Sequence, residues 1–349
     1  MFSPKGIPVK RRTSLLALLA VPVLGVLVGC SASAEPGTPD SANATVKVAV
    51  VLGGVATDGG FNQYAADAVH NLEKSENLDI QIRESVVNPS DAEPIFRQFA
   101  AEGFDLVIGW GLGFSDSILK VGQELPDTHF IATGGADILE KSTANVETWT
   151  YATDEAGYLT GWFAGKTGLS PIAVVDGELA PFNEISYRYT SLGITDANPA
   201  AVELKPIFTG NWEDAQLAAQ ATKAQADLGA KLIITAGEGF TPGVISAAKT
   251  AGIATIGASN ASTADAAEVN VGLVKLDFTP TLTEALARLK AGKFGNHSYT
   301  STIANKGLLL GDVNTVAAAP DVPADLDEQV AALAASLADG SFTLPELKK

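Results

Sequence analysis

From Val46 onward, short apolar runs alternate with stretches whose apolar residues recur at helical spacing. VKVAVVL (46–52) is continuous and valine-rich, the pattern of a strand buried on both faces. Phe61, Tyr64, Ala65, Ala68, Val69 and Leu72 then recur three and four residues apart, which predicts a helix. DLVIGW (105–110) predicts a second buried strand, and Ile118, Val121, Gly122 and Leu125 a helix face behind it. HFIATG (129–134) and the alternating VETWTYA (146–152) complete a first series. A second series opens with a helix from Asp154 through Gly165, followed by a strand at 171–177 and a helix at about 182–194. AVELKPIF (201–208) predicts a strand, Trp212–Leu228 a helix, and 231–237 and 252–258 strands around a helix at 241–250. VNVGLVKLDF (269–278) predicts one strand leading to a helix at 280–291, and a last helix lies near 325–338.

This βα rhythm argues for parallel sheets covered by helices on both faces. Two series of about a hundred residues each predict two similar lobes. Gly157, Gly161 and Gly165 fall on one helix face, where close packing against another element is the main expectation.

The first thirty residues follow different rules. Lys5, Lys10, Arg11 and Arg12 precede an apolar run, Leu15–Val28, that is too short to span a bilayer as a helix. The run ends in Leu27-Val28-Gly29-Cys30, which resembles a bacterial lipobox with Cys30 as the acylated residue. Cys30 is the single cysteine of the chain, so it has no intramolecular disulfide partner. Residues 1–29 are therefore expected to be a lipoprotein signal peptide, and the small polar residues 30–45 a flexible linker. The expected location is the extracytoplasmic face of the cell membrane, held by the lipid.

Cleavage before Cys30 takes away four basic groups and no acidic one, moving the formal net charge from −17 to −21. A surface so acidic repels phosphate backbones and anionic headgroups, which excludes nucleic acid as a partner and leaves membrane contact to the lipid anchor alone.

Few residues suggest catalysis. His70, His129 and His297 are isolated, without metal-ligand spacing, and neither a G-x-S-x-G elbow nor a phosphate-binding G-x-x-x-x-G-K-[ST] loop occurs. Gly109-Trp110-Gly111-Leu112-Gly113 lies where a dinucleotide fingerprint would, but its spacing differs and no acid ends the next strand. No enzyme activity, metal or cofactor is expected. Polar and aromatic residues do gather in loops at the carboxyl ends of strands, where doubly wound sheets bind ligands. These loops hold Asp58, Phe61 and Asn62; Trp110; Trp212; Glu238; and Ser259 with Asn260. Each has a plainer alternative: Asp58 and Asn211 as helix caps, Phe61 as a core residue.

In this order, DGGFNQYAADAV (58–69), DEAGYLTGWFAGK (154–166), FTGNWEDAQLA (208–218), AGEGFTPGVISAAKTAGIATIG (236–257) and VGLVKLDF (271–278) resemble the basic membrane protein family of substrate-binding lipoproteins, which includes purine-nucleoside receptors of ABC transporters. The resemblance implies a type I periplasmic-binding-protein fold of two doubly wound parallel-sheet lobes joined by a hinge. By that likeness lobe 1 is 46–152 plus about 274–302, and lobe 2 is 153–273 plus about 303–349. It implies an ABC permease as partner and a nucleoside-like small molecule in the interlobe cleft. Phe61 and Trp212 would sandwich a planar base, Asp58 and Asn62 would offer polar contacts, and Lys275 matches a family lysine near the ligand. Nucleoside-binding members usually carry aspartates where Leu52 and Ser259-Asn260 stand here, so a base, a modified nucleoside or another small polar ligand stays open. A ligand-gated sensor or partner-regulating surface lipoprotein is the alternative function.

Overall fold

The computed structural model describes residues 44–347 except Leu112, 236–238 and 258–263. The first βα series forms β1 (Val46–Leu52), α1 (Phe61–Leu72), β2 (Leu78–Arg83), α2 (Pro89–Ala101), β3 (Leu106–Trp110), α3 (Phe114–Glu124), β4 (His129–Thr133), α4 (Ala136–Leu139) and β5 (Val146–Tyr151). The second forms α5 (Thr153–Lys166), β6 (Ile172–Asp176), α6 (Pro181–Ala197), β7 (Ile207–Phe208), α7 (Ala215–Asp227), β8 (Leu232–Ile234), α8 (Thr241–Ala251), β9 (Ala254–Ile256), α9 (Ala266–Val269) and β10 (Asn270–Gly272). The chain then runs through β11 (Val274–Leu276), α10 (Thr279–Lys290), β12 (Ser298–Ser301), β13 (Leu308–Leu310) and α11 (Leu326–Ala338).

Two all-parallel sheets result, in the orders β12-β5-β4-β3-β1-β2 and β10-β9-β8-β6-β7. The two-residue period of a strand divides each sheet's core into two layers. Val46, Val48, Val50 and Leu52 of β1 pack with Val69 of α1 and Leu282 and Leu286 of α10. Ala49 and Val51 face the other way, onto Phe96 and Phe99 of α2 and Ile118 and Val121 of α3. In the second sheet Ile172 and Val174 face α5 and α11, and Ala173 and Val175 face α7 and α8. Each such fully buried Val, Leu, Ile or Phe contributes about 1.5–3 kcal/mol by its removal from water.

The helix pair α5·α6 is a glycine seam. A Cβ on Gly157 would lie 2.2 Å from the Ser186 carbonyl oxygen, and one on Gly161 2.0 Å from that of Thr190. From the opposite side, a Cβ on Gly193 would lie 2.3 Å from the Tyr158 carbonyl oxygen. The repeat serves close helix packing.

The expected strand 201–208 shrinks to β7 and one bridge from Glu203 to Ile172. Pro206 has no N–H for the ladder, so pairing resumes only past it. The expected strand 269–278 divides at Leu273: β10 joins the second sheet, while β11 leaves it to pair antiparallel with β13. β2, α2, α4, α9, β12 and β13 are additional to the elements expected from the sequence.

The chain passes between the sheets three times, and hydrogen bonds pin the crossings together. Ala152 N–H donates to the Ser301 carbonyl at 2.9 Å and Asp277 N–H to that of Gly307 at 2.9 Å. Ile303 N–H donates to Glu155 Oε2 at 2.9 Å. β12 is fastened to β5 by the buried Glu147. Its carboxylate accepts from Arg288 Nε (2.8 Å), Gly295 N–H (2.8 Å) and the Tyr299 hydroxyl. A buried carboxylate with three donors avoids most of the desolvation penalty of an isolated charge.

Candidate functional site

Strand order reverses between β1 and β3 in the first sheet and between β6 and β8 in the second. Loops at such switch points part and leave a crevice beyond the carboxyl ends of the strands. Two recesses meet there. An inner cavity of about 160 Å³ is bordered by Phe61 and Tyr64, by Asp176, Asn183, Tyr187 and Thr235, and by Tyr151 and Lys275 near the crossings. An outer one of about 180 Å³ is bordered by Gly53, Gly54, Phe61 and Asn62 on one side and by Glu178, Asn211, Trp212 and Glu213 on the other. Phe61 borders both.

The first-lobe wall is braced from behind. Phe61 begins α1 and stands against Trp110, with ring centroids 4.8 Å apart. Trp110 is 1% exposed and stacked on Trp149 at 4.1 Å, and its indole N–H donates to the Phe61 carbonyl at 2.8 Å. This corrects the expectation that Trp110 meets a ligand. Leu106, Ile108 and Trp110 alternate onto the core face of β3, so the ring lies beneath Phe61 rather than in the cleft.

Asn62 borders the outer recess and Asp58 borders neither, and both are bound into their own loop. Asp58 accepts from the N–H groups of Gly60, Asn62 and Gln63 and from Asn62 Nδ2, at 2.8–3.1 Å. It therefore caps α1, the plainer of its two sequence readings. Asn62 Oδ1 accepts from Gly54 N–H at 3.1 Å. Both are buried, and their polar groups shape the wall.

The second-lobe wall keeps its carboxylates less engaged. Asp176 ends β6 and accepts from Gly177 N–H at 2.9 Å. Burial raises its carboxyl to about 6, against the opposing pull of Gly177 N–H and the neighbouring Asn183 amide. Asn183 itself is fixed by accepting from Ala180 N–H at 2.7 Å and donating to the Glu178 carbonyl. Trp212 lies flat against Gly177, where a Cβ would come within 2.3 Å of the indole, and packs near Phe240. Asn211 Oδ1 accepts from Glu213 and Asp214 N–H at 2.7 and 2.9 Å, and Asp214 rather than Asn211 caps α7. Glu213 is pushed above the ordinary carboxylate range by desolvation first and by the Asp58 charge second.

Lys275 is exposed on β11 and borders the inner cavity. Glu238, Ser259 and Asn260 lie outside the described residues, as does Cys30. Of the expected site residues, Phe61, Asn62 and Trp212 come together at one recess and Lys275 joins Phe61 at the other. Asp176, Asn183, Tyr187 and Tyr151 were not foreseen, and Glu213 was not singled out within the loop that carries Trp212. The rule that singled out the other loops covers Asp176, which ends the strand PIAVVDG. Asn183 and Tyr187 lie within a helix and carried no comparable signal.

The Gly109–Gly113 run has a packing role. A Cβ on Gly109 would lie 2.4 Å from Ile118 Cδ1 and one on Gly111 2.8 Å from the Phe114 ring, while Gly113 adopts φ +81° at the start of α3. Among the described residues no group of three His, Cys, Asp or Glu side chains is arranged to hold a metal ion, and no helix is long and apolar enough to cross a membrane.

The family described as Bmp, ABC transporter substrate-binding protein PnrA-like, matches residues 45–316. The ABC transporter nucleoside-binding protein BmpA of Lactococcus lactis subsp. cremoris is 25% identical over 314 residues, 87% of this chain and 84% of that protein. Among solved structures, an ABC transporter solute-binding protein from Conexibacter woesei is 38% identical with a TM-score of 0.74, covering 86% of this chain and 98% of its own. One from Aeropyrum pernix is 17% identical with a TM-score of 0.71, covering 87% and 94%, a likeness of fold alone.

Proposed function

Because the chain belongs to the Bmp family of PnrA-like substrate-binding proteins of ABC transporters, a type I periplasmic-binding-protein fold with a small-molecule ligand and a permease partner, we propose that it is a lipid-anchored receptor for a nucleoside or closely related flat polar heterocycle. The observation that carries this reading is the pair of recesses meeting at Phe61. A flat ring fits the outer recess, where Phe61 and Trp212 come from opposite lobes and offer aromatic faces. A hydroxylated appendage such as a sugar fits the inner recess, where Asp176, Asn183, Tyr187 and Lys275 offer acceptors and donors. The nucleoside binding named for the Lactococcus lactis relative supports the same ligand class.

Contacts to both lobes favour the closed state over the open one, and the three crossings act as the hinge. A micromolar complex requires about −8 kcal/mol, within the reach of two stacked aromatics and several hydrogen bonds. Cys30, acylated and followed by the 30–45 linker, keeps the receptor near its permease at high effective concentration.

Purified protein is expected to gain thermal stability with purine nucleosides and to show a bound mass by native mass spectrometry. Silence across nucleosides, bases and sugars would refute the ligand class. Cys30→Ala is expected to move the protein from the membrane to the soluble fraction while ligand binding persists; a variant that stays membrane-bound would refute the anchor.

A further inference from the structure

The outer recess poses a chemical restriction of its own. Its described lining has no basic side chain. Asn62 is tied to its own lobe, accepting from Gly54 N–H on its oxygen and donating from its nitrogen to Asp58. Leu52, at the end of β1, is completely buried in the core and offers nothing polar. Asn211 uses its oxygen on two backbone N–H groups. Glu178 is exposed at the edge. Among the side-chain acceptors of the described lining, that leaves the Glu213 carboxylate.

Glu213 is exposed as a residue, yet its carboxylate reaches across the cleft to the backbone of the first lobe. A Cβ on Gly54 would lie 2.8 Å from Oε1, and one on Gly239 would lie 1.9 Å from Oε2. Glycine at both positions therefore makes the space the carboxylate occupies, between a loop of one lobe and a loop of the other. Glu213 makes no ion pair or side-chain hydrogen bond among the described residues. Its raised carboxyl reflects removal from water first and the facing Asp58 second. A carboxylate in such surroundings gains most from a ligand edge that presents donors, and two adjacent N–H groups match its two oxygens.

We propose that Glu213 is the specificity-determining residue of the outer recess, accepting paired hydrogen bonds from a heterocycle edge with adjacent N–H donors, as guanine presents with its ring N–H and exocyclic amine. The assignment rests on the nucleoside reading above and names the ring within it. A ring with acceptors at that edge, as adenine has at its ring nitrogen, faces the carboxylate with like polarity and is rejected.

Calorimetric titration of the full chain with guanosine, inosine and adenosine tests it. Inosine keeps the ring N–H and lacks the amine. Wild-type protein is expected to bind guanosine at least about tenfold more tightly than inosine, and adenosine more weakly still. Glu213→Gln is expected to reduce the guanosine-to-inosine preference to about twofold or less, with a melting temperature no lower than that of wild type as the control for folding. Gly239→Ala, whose new methyl would displace the carboxylate, is expected to reproduce that loss by a second route. A preference that persists in Glu213→Gln, or wild-type protein that binds adenosine as well as guanosine, overturns the assignment while leaving the nucleoside reading intact. Wild-type protein that binds none of the three, nor any other nucleoside, overturns both.

Discussion

On the first-lobe wall of the cleft, Asp58 accepts four hydrogen bonds from its own loop, and Asn62 completes the network. On the second-lobe wall, Asp176 accepts one backbone N–H at the end of β6, and Glu213 stands between two glycines with its carboxyl raised. Both walls are built by the same strand–loop–helix unit, but their polar groups have different work. The first wall is an aromatic platform whose polar residues hold Phe61 in place over the Trp110–Trp149 stack. The second retains electrostatic strain that a ligand can relieve. On the proposal made above for Glu213, preorganisation is concentrated on one side of the cleft and discrimination on the other, so that a hinge would bring a fixed surface against a responsive one.

Breaking the platform should have the largest effect. Trp110→Ala removes a side chain 1% exposed from the centre of an aromatic stack and should destabilise the protein by about 3–5 kcal/mol, measured by chemical denaturation. A loss below about 1 kcal/mol would show that the platform does not depend on its support.

The responsive wall should behave in the opposite sense. The native Asp176 carboxyl titrates near 6, above the ordinary value of about 4 for an unfolded chain. Between those values the native state holds a proton that the unfolded state has released, so stability falls as pH rises through this window. Above about pH 6 the whole penalty is present. Asp176→Asn should therefore stabilise the unliganded protein at pH 7.5 by up to about 3 kcal/mol, and leave it level with wild type at pH 4. Denaturant midpoints at the two pH values check this; a variant less stable than wild type at pH 7.5 would reverse the reading of this wall.

Trp212→Ala separates binding from folding. It should weaken nucleoside binding by about 1–3 kcal/mol through lost stacking, with the far-ultraviolet dichroism of the folded protein retained. Unchanged affinity would remove Trp212 from the site. The smallest effect is expected at the cap. Asp58→Ala should cost about 1 kcal/mol of stability by orphaning N–H groups of the first turn of α1. An effect on affinity far larger than on stability would instead make Asp58 a ligand contact.

The alternation of buried runs and helical periods made the two-sheet architecture legible, because strands covered on both faces carry no polar interruptions. β2 was harder to read: LDIQIR lies at a sheet edge, and its inward positions past Leu78 are only half-buried between exposed ones. α2 was obscured by Pro89 and Pro94, residues that argue against a helix interior although Pro89 suits its first turn. The loops at the carboxyl ends of the strands followed from topology, which is why Phe61 and Trp212, now seen at one recess, were singled out from the sequence. Direction was not in the pattern of loops. Whether Trp110 points into the cleft depends on strand parity, and its register opposite Leu52 puts it in the core. Asp58 and Asn62 have the composition of ligand contacts and of a helix cap alike, and only their hydrogen bonds distinguish the two. Glu213 needed knowledge that Gly54 and Gly239, far apart in sequence, frame one space.

The pairing of β12 with β5 joins residues about 150 positions apart, Thr148 opposite Ser298. As the chain leaves the ribosome, β5 emerges with an open parallel edge, and Glu147 emerges long before Arg288 and Tyr299 arrive to receive it. Throughout the intervening synthesis of α5 to α10 the first sheet has an unfinished border, the kind of edge that invites pairing with another chain. Its closure waits on a segment made some 150 residues later. The nascent protein is thus expected to keep that edge open to chaperones until residues 298–301 have been made, and to acquire its final cooperativity only then.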